Sequence, residues 1–254
     1  MDGIGVDELS RIDLAFSGNR LLSTFPREAR ALVEADSVVA ELESGDVLFD
    51  HGSHVEWSVF PFGPTMISLV VELDHGGSIE VATIGREGAI GGIVSCGHAP
   101  AFSQARVLVP GPALKVPMTV LEDAKHRSAF IANIFCRFSD YLLAQVMQSV
   151  ACNSYHSITQ RAARWLLVAQ DRAGERIELT QEAMAVLLGA QRTTINAVVR
   201  AFQDEGVIAS GRGVVRVLDR AGLKRRSCEC YDATERHFAK VIGGTGLGGD
   251  SDCA

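Results

Sequence analysis

The chain has 254 residues, 47% of them apolar and 22% charged, an ordinary globular composition with length enough for one large domain or two modest ones. No apolar run approaches the ~20 residues of a membrane span, and the start, Met1 to Glu8, lacks the regions of a secretory signal, so a cytoplasmic protein with no membrane partner is expected. The net charge of −7 excludes a nucleic-acid partner only until it is divided: 7 Lys/Arg stand against 16 Asp/Glu in residues 1–118, but 12 against 8 in residues 156–230, an acidic module joined to a basic one.

Residues 8–35 read as short helical pieces broken by Gly18 and Pro26. From Val38 to Val116, β-rich runs (Val38–Leu42, Val47–Phe49, Val55–Phe62, Met66–Leu73, Ser78–Ile84, Gln104–Val109, Ala113–Val116) alternate with Gly, Pro, Asp and His. That texture predicts a compact antiparallel roll or barrel. Over residues 119–151 the pattern is helical, with Ile131, Ile134, Phe138, Tyr141, Leu142 and Gln145 forming a stripe at three- and four-residue steps. Such a helix would be about 50 Å long, too long for a small roll to cover. The stripe is therefore expected to meet its twin across a two-fold axis, as the interface of a homodimer. Asn153-Ser154 is a candidate break and cap, and a second helix runs from His156 to about Arg172.

The next segment carries the chemistry. Thr180 can cap a helix in which Ala185 is small enough for close approach, and Gly189 supplies a left-handed turn into a second helix begun by Thr193 or Thr194. Ile195, Val198 and Val199 would bury one side of that helix. The other side exposes Gln191, Arg192, Thr193, Asn196, Ala197 and Arg200, side chains of the kind that read base edges or hold phosphates. Val207–Ser210 and Val214–Leu218 then flank Gly211-Arg212-Gly213, a hairpin with an arginine at its tip. This spacing is that of a winged helix-turn-helix. After Tyr231 the chain is Gly-rich and reads as a frayed tail. There Gly244–Gly249 spells GxGxxG, but the five residues that follow cannot form the helix and strand a dinucleotide site needs.

Six cysteines, at 96, 136, 152, 228, 230 and 253, form no disulfide framework and read as thiols. Cys96-Gly-His98 and Cys228-Glu-Cys230 look like ligand pairs, but neither has a second pair at zinc-site spacing, so no metal and no cofactor is expected. His51-Gly-Ser-His54 lacks the His-x-His spacing of a metal-dependent jelly-roll enzyme. No nucleophile, base and orienter are placed together either. Catalysis is not expected, and an interaction scaffold without DNA binding is the remaining alternative.

The order of roll, long helix and winged helix-turn-helix resembles the Crp–Fnr family, the cyclic-AMP receptor protein and its relatives. "RAARWLL…ELTQEAMAVLLGAQRTTINAVVRAFQDEGVIASGRGVVRVLDRAGL" resembles that family's DNA-binding domain, and "GDVLFDHGSHVEWSVFPFG" its first roll hairpins. The resemblance implies an α+β fold: a sensory cyclic-nucleotide-binding-like β-roll (1–118), a dimerisation helix and hinge (119–153), a winged helix-turn-helix (154–226) and a C-terminal tail (227–254). It also implies a transcription regulator that binds a pseudo-palindromic operator in double-stranded DNA, with RNA polymerase as a partner and a small-molecule effector at the roll. Base contacts would fall on Arg192, Thr193 and Ala197, the last a place where the family often has a basic residue. In the family's nucleotide pocket a glutamate holds the ribose and an arginine the phosphate; here Gly92 and Ser103 stand in their places, and Arg106 lies on the other side of the strand. A buried phosphate needs a partner charge, so cyclic AMP is not the expected effector. The family's iron–sulfur members use N-terminal cysteines, and here none precedes Cys96; a haem ligand such as His75 is the other alternative.

Overall fold

The β-rich runs form strands whose ends lie within two residues of those expected. In the computed structural model, which describes residues 6–74, 78–93 and 99–243, β1 (Val38–Leu42), β2 (Val47–Phe49), β3 (Trp57–Pro61), β4 (Met66–Glu72), β5 (Ser78–Ile84), β6 (Gln104–Val109) and β7 (Gly111–Pro117) form two antiparallel sheets. One has the order β1-β7-β3 and the other β2-β6-β4-β5. Their inner faces place Val59, Ile67, Ile84, Ala105, Val107, Leu114 and Val116 in one apolar core. A first helix, α1 (Val6–Gly18), adds Ile12, Ala15 and Phe16 to that core, and Pro26 stands immediately before the short α2 (Arg27–Ala31). His75, the Cys96-Gly-His98 pair and Gly244–Gly249 lie outside the described residues. No helix among the described residues is long and apolar enough to cross a membrane.

The long helical segment is two helices, α3 (Met118–Arg127) and α4 (Ala129–Tyr155), because Ser128 leaves helical geometry and its side chain accepts from the Ile131 amide. Most of the predicted dimer stripe is covered by the chain's own roll: Ile131, Ile134, Phe138 and Tyr141 are buried in the roll's core, and Gln145 is buried too. Gly88 makes this close approach possible, since a Cβ there would come within 2.0 Å of the Phe138 ring. Leu142 is only half-buried, and the apolar face left open runs along Leu143, Met147 and Val150. The sequence showed an apolar stripe but not what lies on it.

The hinge after α4 also differs from expectation. Ser154 donates to the Val150 carbonyl and stays in the helix. The break comes at His156, and Ser157 starts α5 (Ile158–Ala173) through a reciprocal capping box with Gln160. Further on, the chain after Tyr231, expected to be frayed, is helical as far as Val241. After α6 (Gln181–Leu187), α7 (Arg192–Asp204) and α8 (Arg220–Arg226), α9 (Cys230–Val241) returns to the roll. It adds Phe238 and Ile242 to the roll's core, with the Phe238 ring edge-on to Tyr141 at 4.9 Å. The run of glycines that suggested fraying begins only at its end.

The roll and the C-terminal module share a buried polar junction. Arg172 of α5 donates to Glu87 at 2.6 Å, with both side chains under a tenth exposed. It passes across Gly85, where a Cβ would meet its side chain at 2.8 Å. Gln145, oriented by its partners, accepts from Arg172 at 3.1 Å and from the Tyr141 hydroxyl at 2.8 Å. The Trp165 indole donates to Glu80 at 3.3 Å, and the Ser68 hydroxyl donates to the same carboxylate. Burial pushes the Glu80 carboxyl above its usual range. Around this junction Met66 and Val109 of the roll pack in one apolar cluster with Trp165, Leu166 and Ala169.

Candidate nucleic-acid interface

The C-terminal module is built around two helices held at a sharp turn. Thr180 caps α6 by accepting from the Ala183 amide at 3.0 Å. At the other end Gly189 has φ +56°, its amide bonds the Val186 carbonyl and the Ala190 amide bonds the Ala185 carbonyl. That is a Schellman closure. Arg161 of α5 adds a 2.6 Å bond to the Leu188 carbonyl, which fixes the corner to the rest of the domain.

After this corner Gln191 takes the cap position and α7 begins at Arg192, one residue before Thr193 and two before Thr194. Ile195, Val198, Val199 and Phe202 are buried against the domain core. Gln191, Arg192, Thr193, Thr194, Asn196, Ala197 and Arg200 are all exposed, as is Thr180. The expected polar face is thus presented to solvent as one surface. Arg192 is not wholly free on it: its guanidinium pairs with Glu182 of α6 at 2.9 Å, with both side chains about two-thirds exposed. Such a surface pair is worth ~0–1 kcal/mol and exchanges readily.

The wing is a three-stranded sheet, because β8 (Arg176–Glu178) joins β9 (Ile208–Gly211) and β10 (Val214–Val217) in the order β8-β10-β9. A three-residue strand gives too short an alternation to be seen in the sequence. The hairpin turn is the two residues Arg212 and Gly213, with φ +52° and +76°, the twist that matches a β-hairpin. Arginine in this left-handed region costs about 1 kcal/mol or more, and Arg212 is exposed with no packing in return. Gln203 of α7 donates to the Ser210 carbonyl and holds the wing beside the helix. Arg216 stands directly opposite Arg176 across the ladder, both exposed. Like charges so placed repel; Arg176 also pairs with Glu178 at 3.3 Å, and an anion lying over the two arginines would relieve what repulsion is left. Sequence reasoning missed this pair along with the strand that creates it.

At the roll's corner the structure places Glu87 over the turn, accepting from the Gly85 amide at 3.1 Å. A Cβ at Gly92 would meet Met118 at 2.4 Å. The corner is filled by the protein's own groups. His51, in its turn, bonds the Phe102 carbonyl through Nδ1.

Residues 160–226 match the Crp-like helix-turn-helix domain. A stretch of 61 residues is 36% identical to the HTH-type transcriptional regulator Cmr of Mycobacterium tuberculosis, covering 24% of this chain and 25% of that one. The match spans only a quarter of that relative. In fold, the chain is similar to FixK2 from Bradyrhizobium japonicum, at TM-score 0.65 and 13% identity over 76% of this chain and 98% of that one. It is also similar to a CRP-family transcriptional regulator of Thermus thermophilus, at TM-score 0.60 and 18% identity over 74% and 96%.

Proposed function

We propose that this chain, a Crp–Fnr family protein by its DNA-binding domain and its fold, is a cytoplasmic transcription regulator that binds a pseudo-palindromic operator as a homodimer. The observation that carries the reading is the single exposed face of Arg192, Thr193, Asn196, Ala197 and Arg200 beside a strained wing arginine. Gln191, Thr194 and Thr180 border that face. In a dimer two such helices would enter successive major grooves about 34 Å apart. The basic wing pair Arg176 and Arg216 would lie near phosphates. RNA polymerase is the further partner such a regulator requires, and a regulator rather than an enzyme is the role assigned.

The two arginines have separable tasks. Arg192 begins the exposed helix face, where a guanidinium can reach guanine O6 and N7 together, and Glu182 would release it on contact with DNA. Once an operator has been selected from a random duplex library, Arg192→Ala is expected to cost ~1–3 kcal/mol of binding and to flatten preference at one base pair in each half-site. Arg212→Gly is expected to leave folding unharmed, or improve it, while weakening specific and random DNA alike and lowering the salt slope by about one unit per subunit. Both are read by anisotropy titrations on operator, single-base variants and random duplex at several salt concentrations. Full discrimination by Arg192→Ala at every position would remove Arg192 from base readout and leave it as a brace to Glu182.

The roll is not proposed to sense cyclic AMP. Gly92 offers no carboxylate and Ser103 no positive charge, and along residues 85–92 Met118 lies against Gly92, Phe138 against Gly88 and the Glu87 carboxylate accepts from Gly85. Calorimetry with cyclic AMP at micromolar concentrations is expected to show no heat of binding and no change in DNA affinity. Measurable binding coupled to DNA affinity would reverse this.

A further inference from the structure

The cysteines read as scattered thiols converge at the hinge. Cys152 near the end of α4, His156 at its cap, Cys228 before α9 and Cys230 at its start bring their ligand atoms within 4.8 Å of one another. The Cys152 and Cys228 sulfurs are 3.6 Å apart, and the Cys230 sulfur is 3.5 Å from His156 Nδ1. In tetrahedral zinc, with Zn–S ~2.3 Å and Zn–N ~2.0–2.1 Å, neighbouring ligand atoms are separated by about 3.5–3.8 Å. These two edges already have that span. The three sulfurs are buried and the imidazole is half-buried.

We propose that Cys152, His156, Cys228 and Cys230 form a closed tetrahedral site for a thiolate-seeking divalent ion of the zinc class. Each ligand is supported as metal ligands are. The far nitrogen of His156, Nε2, is 3.3 Å from a Glu229 carboxylate oxygen, the arrangement that fixes the tautomer and leaves Nδ1 free to bind. The Gln148 amide donates to the Cys230 sulfur at 3.0 Å. Three thiols would each lose a proton to solvent and the imidazole would bind neutral, so the complex carries one net negative charge. Arg164, whose buried Nε has no hydrogen-bond partner, acts by its charge on Cys152 and would offset it. Three thiolates and a nitrogen select zinc over magnesium or calcium, and four protein ligands leave no position for catalysis. The site was hidden in the sequence because Cys152 on α4 and His156 at its cap are four residues apart, while their partners lie more than 70 residues on.

The ion would tie His156, at the junction of α4 and α5, to the chain that follows the wing. Resting on the DNA-binding reading above, its occupancy should tighten DNA binding, since a fixed hinge has less freedom to lose on the operator.

The test uses the full chain, stripped with chelator under reductant and titrated with cobalt chloride, then zinc chloride. One cobalt per chain, with thiolate charge-transfer absorption in the near ultraviolet and intense tetrahedral bands in the visible, is expected. Zinc should displace it with roughly nanomolar affinity or better. Cys228→Ser should weaken binding at least 100-fold. Glu229→Gln, which keeps all four ligands, should weaken it about 10–100-fold, and Cys136→Ser, on the exposed side of α4, should change nothing. Should Cys228→Ser fail to fold by circular dichroism, the wild-type spectrum and Glu229→Gln still decide. Absent tetrahedral bands, or bands unchanged in Cys228→Ser, overturn the site, as does a Cys152–Cys228 disulfide found in place of bound metal. Zinc should also raise affinity for operator DNA at least fivefold. Bands without that gain overturn the coupling, and bands with no DNA binding at all overturn the DNA reading while leaving the site standing.

Discussion

Replacing Arg172 by alanine is expected to lower the stability of the whole chain by about 3–5 kcal/mol. The substitution leaves Glu87 buried without its 2.6 Å partner and removes a donor from Gln145. A lone carboxylate in that setting must stay charged at high cost or take up a proton. Replacing both members, Arg172→Met with Glu87→Leu, should recover most of the loss, because two apolar groups leave nothing to satisfy. Urea denaturation of the single and double variants measures this, and a loss under about 1 kcal/mol for Arg172→Ala would mean that water reaches the junction. Glu80 supplies an independent check. Burial raises its folded pKa, so the folded chain holds a proton that the unfolded chain releases, and stability falls as pH rises through the window above about 4.5. Arg172 opposes that shift with its positive charge, so Arg172→Ala should carry the decline to higher pH, and Glu80→Gln should abolish it.

The double variant Leu143→Glu, Met147→Glu is expected to give monomers and to lose roughly 10²–10⁴-fold in operator affinity. These residues and Val150 are more than half exposed on α4 at steps of four and three residues, with Leu142 partly buried beside them. That is the seam on which a second copy could close by two-fold symmetry. A monomer keeps one recognition helix and its fold, but forfeits the second half-site as an intramolecular event. The original stripe makes a contrasting control. Phe138→Glu should unfold the roll rather than merely split a dimer, since Phe138 is fully buried against Gly88. Light scattering reads mass, circular dichroism reads folding and anisotropy reads affinity. Unchanged dimer mass in the Leu143/Met147 variant would place the interface elsewhere.

The contrast shows what local pattern can and cannot carry. Strands β5 and β6 appear at their predicted residues, and β4 one residue shorter, because a β-rich run bounded by turn residues is a property of each segment alone. The exposed face of α7 was legible for the same reason: Ile195, Val198 and Val199 declare the buried side, and Arg192, Asn196 and Arg200 take what remains. On α4 the period was equally clear, yet it could not say whether Phe138 meets its own roll or a twin. That depends on Gly88, fifty residues earlier. The ladder partner of Arg216 and the ligand partners of Cys152 were hidden likewise, since each is made by chain far away.

The return of α9 to the roll has a consequence for synthesis. Tyr141, Phe238 and Ile242 complete a core whose last strand, β7, ends at Pro117. During translation at about 5–20 residues per second, the roll would leave the ribosome many seconds before the residues that close it exist. In that interval the place of Phe238 is open and the nascent roll is a natural client for chaperones. Cleavage before α9 would take Phe238 and Ile242 out of the roll's core and Tyr231 out of the apolar cluster of the helix-turn-helix module, so a chain stopped there would be left unfinished in both modules.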